Sequence, residues 1–159
     1  VALVAGCGGG GAPKLAPVKG KVTVGKSEPF KKGTIRFIPK PGSKVNAREA
    51  VTDEQGNYVI RFDNRNSGLE PGDYLVSFSL FQKPDGTPLP DQSKEAHPKE
   101  PAELGGVQFV PLDYSKGNSD KYPTTVTAKG GTFDFDLPEI KAQPKMSPVA
   151  QQQQQLRGD

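Results

Sequence analysis

Apolar and polar residues alternate along most of the chain between positions 18 and 137. A period of two places successive side chains on opposite faces of a strand, whereas a helix repeats its apolar positions every three or four residues. Glycine, proline, asparagine and aspartate separate the alternating segments, and these residues favour turns. The pattern predicts strands at residues 18–24, 34–38, 48–52, 58–62, 74–80, 124–128 and 132–137.

The alternation also predicts the faces of these strands and the turns between them. Val18, Val22 and Val24 share the inward face of the first strand, and the 74–80 strand buries Tyr74, Val76, Phe78 and Leu80. Gly56 supplies the positive φ that a tight turn over 53–57 requires, and residues 129–131 close a hairpin between the last two strands. Seven short strands without a convincing amphipathic helix favour an all-β fold, a seven-stranded antiparallel β-sandwich.

A proline-rich insertion over residues 83–123 precedes the last two strands. Connections longer than about 15 residues are usually functional or disordered. The polar half, 83–103, lacks the apolar residues needed to pack, whereas the second half carries Phe109, Tyr114 and Tyr122. These aromatic side chains either contact a ligand from a loop or pin a long crossover to the sandwich, and the pattern alone favours the second interpretation.

Charge is distributed unevenly along the chain, although the net charge is only +3. Residues 1–50 contain ten Lys and Arg against two Glu, which gives +8, and the remainder has a balance of −5. Basic positions such as Lys19 and Lys21 suit an anionic membrane or cell-wall surface. The simpler interpretation is a solvated strand face, which the pattern favours.

The chain has one cysteine, Cys7, preceded by small and apolar residues and followed by four glycines. The run Val4-Ala5-Gly6-Cys7 resembles the lipobox of bacterial lipoproteins. The resemblance implies that residues 1–6 are the end of a signal peptide, that cleavage occurs before Cys7, and that acyl chains are attached to this residue. We therefore expect the sequence to begin inside the signal. The alternative is an unmodified thiol in a disordered tail.

The segments flanking the predicted sandwich differ from it in composition. Residues 7–16 combine the cysteine with glycine and proline, as expected of a tether. Residues 139–159 are rich in Ala, Pro, Lys and Gln, and such a segment is expected to be disordered because it offers little apolar area to bury. The Arg157-Gly158-Asp159 tripeptide matches an adhesion motif, which we attribute to chance.

Four segments follow a recognisable strand-and-turn pattern: Val18 to Val24, Lys32 to Phe37, Thr52 to Tyr58 and Leu69 to Tyr74. They resemble the carboxypeptidase regulatory-like, transthyretin-like domain, and the resemblance extends over residues 17–138. The resemblance implies a transthyretin-like β-sandwich, and bacterial lipoproteins of this type join a lipobox to such a domain. One departure is the turn over Gly25 to Phe30, which is one residue longer than the family's.

The residues offer little support for enzyme chemistry. A zinc site or a serine triad would have to use His97, the only histidine, which lies between prolines of the insertion. Asp134 and Asp136 could act as paired carboxylates or hold Ca²⁺, but the alternation explains them as outward strand positions. No phosphate-binding glycine loop is present, and we expect no catalytic residue, no metal, no cofactor and no nucleic-acid partner.

Together these features predict a lipid-anchored, extracytoplasmic β-sandwich at the bacterial cell envelope, facing the periplasm or the exterior. Its expected role is structural or protein-binding, with the membrane reached through Cys7. The alternative is a module that binds carbohydrate or a cell-wall polymer through Phe109, Tyr114 and Tyr122, because aromatic rings are suitable stacking surfaces.

Overall fold

A computed structural model describes residues 14–140, and within this range the protein is built almost entirely of strands. The prediction of an all-β fold is confirmed. In chain order the elements are β1 (Val18–Val24), β2 (Glu28–Pro29), β3 (Thr34–Pro39), β4 (Arg48–Val51), β5 (Asn57–Val59), β6 (Gly72–Ser79), β7 (Phe81–Gln82), β8 (Val107–Gln108), α1 (Leu112–Ser115), β9 (Pro123–Val126), β10 (Gly131–Thr132) and β11 (Phe135–Leu137).

These strands form two main sheets and a small separate pair. One sheet has the antiparallel order β4-β3-β6-β9. In the other, β1 is central: β5 and β2 pair with it antiparallel along one edge, and β10 and β11 pair with it parallel along the other. In the pair β7-β8, the residues just before the insertion pair with a strand inside it. Each of the seven predicted segments contains a strand, and β2, β7 and β8 are additional to them.

The prediction of purely antiparallel sheets and of a closing hairpin at residues 129–131 is wrong. β9 pairs with β6, whereas β10 pairs with β1 in the other sheet, so the chain crosses between sheets at this turn. Gly130 does have the positive φ of a turn, 68°. However, the next amide, that of Gly131, donates to the carbonyl of Pro17 at 2.9 Å rather than back to β9. The last strand is therefore parallel to β1.

The hydrophobic core lies between the two sheets. Val18 and Val22 of β1 face Phe37 of β3 and Phe78 of β6 across it, and all four are at most 1% exposed. Phe135 of β11 joins them, with ring centroids 6.3 Å from Phe37 and 5.5 Å from Phe78. The predicted inward faces of β1 and β6 are confirmed. Val24 and Leu80, the last residues of the two predicted strands, are only partly buried.

The C-terminal strand lies unusually close to β1. A Cβ placed on Gly20 would be 1.9 Å from the carbonyl oxygen of Phe133, so only glycine fits there. That carbonyl accepts a hydrogen bond from the Tyr58 hydroxyl at 2.7 Å. Burial and the nearby Asp134 carboxylate raise the pKa of Tyr58, because both disfavour the ionised phenolate. Tyr58 thus connects the two strands that flank β1.

The turn between β4 and β5 forms as predicted. Asp53 accepts the backbone amides of Gln55 at 2.9 Å and Asn57 at 2.8 Å, and Gly56 has a φ of 80°. The hydrogen bonds from Asn57 and the neighbouring amides lower the pKa of Asp53, because they stabilise its ionised form. This turn carries the chain from one sheet to the other.

Candidate binding surface

The aromatic residues of the insertion pack against the sandwich. β9 pairs only with the first half of β6, and the segment from β8 to Tyr122 occupies the space beside the second half. The Phe109 amide donates to the Leu80 carbonyl at 2.9 Å, and Phe109 is 7% exposed. The first half of the insertion remains largely exposed.

Tyr122 lies at the edge of the core. Its ring centroid is 5.5 Å from that of Phe78 and 5.4 Å from that of Phe135, and its hydroxyl donates to the carbonyl of Asp136. Tyr114 packs on Tyr122 with centroids 6.0 Å apart. Burial and the neighbouring Tyr114 and Asp136 raise the pKa of Tyr122. The structure brings these two tyrosines together, and a ligand contact by Phe109, Tyr114 or Tyr122 stays a prediction.

Asp134, just before β11, and Asp136, in β11, point outward as predicted. Both carboxylates accept hydrogen bonds from other parts of the protein. Asp134 accepts the backbone amide of Lys21 at 2.8 Å, replacing a backbone partner in the parallel ladder. Asp136 accepts the Lys26 amide and the Thr23 hydroxyl, both at 2.7 Å. These hydrogen bonds attach the last strand to β1. Within residues 14–140 no three His, Cys, Asp or Glu side chains form a group able to hold a metal ion.

A pair of clefts flanks β7, where the insertion leaves the sandwich. One, of about 660 Å³, lies between the β2 turn and Ile140, and the other, of about 630 Å³, lies beneath the loop at Pro88. Lys31, Leu80 and Gln82 line both. Phe81 faces the second cleft and is 40% exposed. These two clefts give the sandwich a concave surface on both sides of β7.

Sequence reasoning overlooked Phe81, because it ended the strand at Leu80. Two successive apolar residues interrupt the alternation there, and in a strand one of them must point away from the core. Leu80 is the partly buried member of the pair and Phe81 the exposed one. That interruption is the signal that could have identified the residue.

The remaining predicted features lie in solvent or outside the described range. His97 is exposed on the insertion. Cys7, the tether before residue 14, and the tail after residue 140 with its Arg157-Gly158-Asp159 end lie outside the described residues. No helix within residues 14–140 has the length and apolar character needed to cross a bilayer.

Comparisons with family models, with curated proteins and with solved structures find no match to this chain.

Proposed function

We propose that this protein is a bacterial lipoprotein, held at the cell envelope by acyl chains on Cys7, with a transthyretin-like sandwich that has a structural or protein-binding role. The observation that carries the proposal is the run Val4-Ala5-Gly6-Cys7, followed by glycines and prolines up to β1. Each buried methylene contributes about 0.8 kcal/mol, so two or three acyl chains anchor a protein firmly where one chain holds it marginally.

The described fold supports this role in two ways. The two sheets enclose a packed core close to the proposed attachment point, since β1 begins only eleven residues after Cys7. The chain enters the sandwich at Leu15 and Ala16, near the start of β6, because Ala16 forms a bridge with Leu69 just before that strand. The clefts beside β7 lie at the opposite end of β6. The proposed anchor would therefore leave the clefts facing away from the membrane, accessible to an envelope partner.

The anchor is tested by a Cys7→Ser substitution in the protein expressed from its own gene in a bacterial host. We expect the wild-type protein in the membrane fraction and the variant in the soluble fraction, because serine cannot carry the thioether-linked lipid. Gly9→Ala serves as the matched control, since it changes the same segment and keeps the thiol. Equal membrane retention of the Cys7→Ser variant would contradict the proposal.

A second candidate function, binding of a cell-wall polysaccharide, is favoured by the exposed ring of Phe81. This ring lies over a cleft whose lining includes Lys31, Gln82 and Asp91, and sugars are held by stacking combined with polar contacts. We expect Phe81→Ala to reduce retention on immobilised wall polysaccharide about tenfold. Leu112→Ala, at an apolar side chain that is 74% exposed and does not line that cleft, should be retained like the wild type.

The same assay examines the tyrosines of the insertion. Reduced retention of Tyr114→Ala with Phe81→Ala unaffected would assign the contact to the insertion aromatics instead. Failure of the wild-type protein to be retained would remove the polysaccharide function and leave the anchor unaffected.

A further inference from the structure

The outer face of the β1 sheet carries lysines and carboxylates at different positions along its length. At the Val18 end, Lys19 lies between Val59 of β5 and Thr132 of β10. Towards the Val24 end, β1 lies beside two carboxylates: Asp136, which is in β11, and Asp134, which comes just before β11. Lys19 therefore lies towards the point where the chain enters the sandwich, and the two carboxylates lie farther along β1, in a cleft that Lys21 also lines.

A cleft of about 300 Å³ marks the basic end of this face. Lys19, Val59 and Lys129 line it, and none of its lining residues is an aspartate or a glutamate. Val59 is 53% exposed, so the cleft also presents an apolar side chain. Arg61 is bridged to Ser67, another lining residue, and is also exposed. We call Lys19, Val59, Arg61 and Lys129 the basic patch.

The loops at the same end of the sandwich are also basic. Four connections meet there: the entry at 14–17, the β3–β4 loop at 40–47, the β5–β6 connection at 60–71, and the β9–β10 turn at 127–130. These connections contain only two carboxylates, Asp63 and Glu70, and six cations: Lys14, Lys40, Lys44, Arg61, Arg65 and Lys129. The basic patch is thus part of a wider basic end rather than an isolated pair of lysines.

This end is also the one that the proposed anchor would hold near the membrane. Lys14 follows Cys7 by seven residues, and a fully extended chain of that length reaches at most about 25 Å. Bacterial membranes rich in anionic lipid attract basic side chains that come within about a Debye length, which is about 10 Å at 0.1 M salt. A short tether and a basic end on the same side of the sandwich are complementary to such a surface.

We propose that the basic patch binds anionic lipid headgroups, so that the basic end of the sandwich faces the membrane and the β7 clefts face away from it. The inference rests on the proposed function, since the anchor is what brings this end to a membrane. Each cation near an anionic surface strengthens binding roughly fivefold. Lys19, Arg61 and Lys129 together therefore account for about a 100-fold preference for anionic over neutral lipid.

The experiment uses the Cys7→Ser chain, so that no lipid on the protein contributes to binding. Its partition is measured at low salt onto vesicles of equal parts phosphatidylglycerol and phosphatidylcholine, and onto vesicles of phosphatidylcholine alone. One variant combines Lys19→Gln, Arg61→Gln and Lys129→Gln. Its matched control combines Lys83→Gln, Lys94→Gln and Lys99→Gln, which remove the same charge from exposed positions of the insertion.

We expect binding to the anionic vesicles only, a loss of about 100-fold in the patch variant, and near wild-type binding in the control. Equal losses of binding in both variants would mean that only the net charge of the protein matters, and would overturn the proposal. Equal binding to both kinds of vesicle, or binding to neither, would also overturn it. Binding to soluble polyphosphate as tight as to vesicles would assign the patch to an anionic polymer instead and also overturn the proposal. Because this chain lacks the thiol, failure here leaves the Cys7 fractionation result intact.

Discussion

Replacing Gly20 by alanine is expected to lower the free energy of unfolding by about 3 kcal/mol or more. The added methyl would lie 1.9 Å from the backbone carbonyl oxygen of Phe133, far inside any real contact distance. A backbone atom cannot rotate away as a side chain can, so β1 and the C-terminal strand must separate. Separation would also break the 2.7 Å hydrogen bond from Tyr58 to that carbonyl.

Gly131→Ala is the matched control for this substitution. Gly131 lies on the neighbouring strand of the same sheet, and a Cβ there would meet only the Phe133 ring, at an ordinary 3.5 Å. We expect the control to change stability by less than about 1 kcal/mol. The chain contains no tryptophan, so urea unfolding is followed by circular dichroism. Equal stabilities of the two variants would refute the close approach of Phe133 to β1.

Phe135→Ala is expected to lower the free energy of unfolding by about 3–5 kcal/mol, the range for truncating a buried phenylalanine. Phe135 is 9% exposed and contacts Phe37 and Phe78 of the opposite sheet and Tyr122 of the insertion. Its removal leaves a cavity where three parts of the molecule meet. These rings lie in edge-to-face arrangements that add to the burial of their apolar area.

Phe81→Ala provides the comparison, because it removes the same ring from a site that is 40% exposed and outside the main core. We expect that variant to lose less than about 1 kcal/mol of stability. A similar loss in the two variants would mean that Phe135 does not join the sheets as described.

The strands and their inward faces were predictable because alternation is a local property of the sequence. Tyr74, Val76 and Phe78 lie two residues apart, and any sheet that buries one buries all three. The turn at Asp53 was predictable for the same reason, since the carboxylate, the glycine and the amides it joins lie within five residues.

The pairing of the last strand was not predictable, because alternation does not specify a partner. Phe135 buries its side chain equally well in a hairpin with β9 or beside β1, and Gly130 adopts a turn in either case. The deciding contacts involve Gly20 and the Asp134 carboxylate, more than a hundred residues apart from their partners. A glycine inside a strand pattern signals a close backbone approach, but it does not identify the approaching strand.

The same limitation applied to the candidate surfaces. Tyr114 and Tyr122 were identifiable as apolar members of a polar insertion, yet sequence spacing cannot distinguish a ring that stacks on Phe78 from one displayed to a ligand. The basic patch joins Lys19, Arg61 and Lys129 from three distant parts of the chain. The excess of positive charge in residues 1–50 indicated that a basic surface was possible, but Arg61 and Lys129 lie outside those residues, and only the topology brings them near Lys19.

The most direct measurement for the account is the mass of the N-terminal peptide of the protein purified from the organism that produces it naturally. The account predicts a peptide that begins at Cys7 and carries the added mass of a diacylglyceryl group, because the proposed lipobox would direct both cleavage and lipidation at that residue. A peptide in which Cys7 bears a bare thiol, or in which residues 1–6 remain attached, would contradict it.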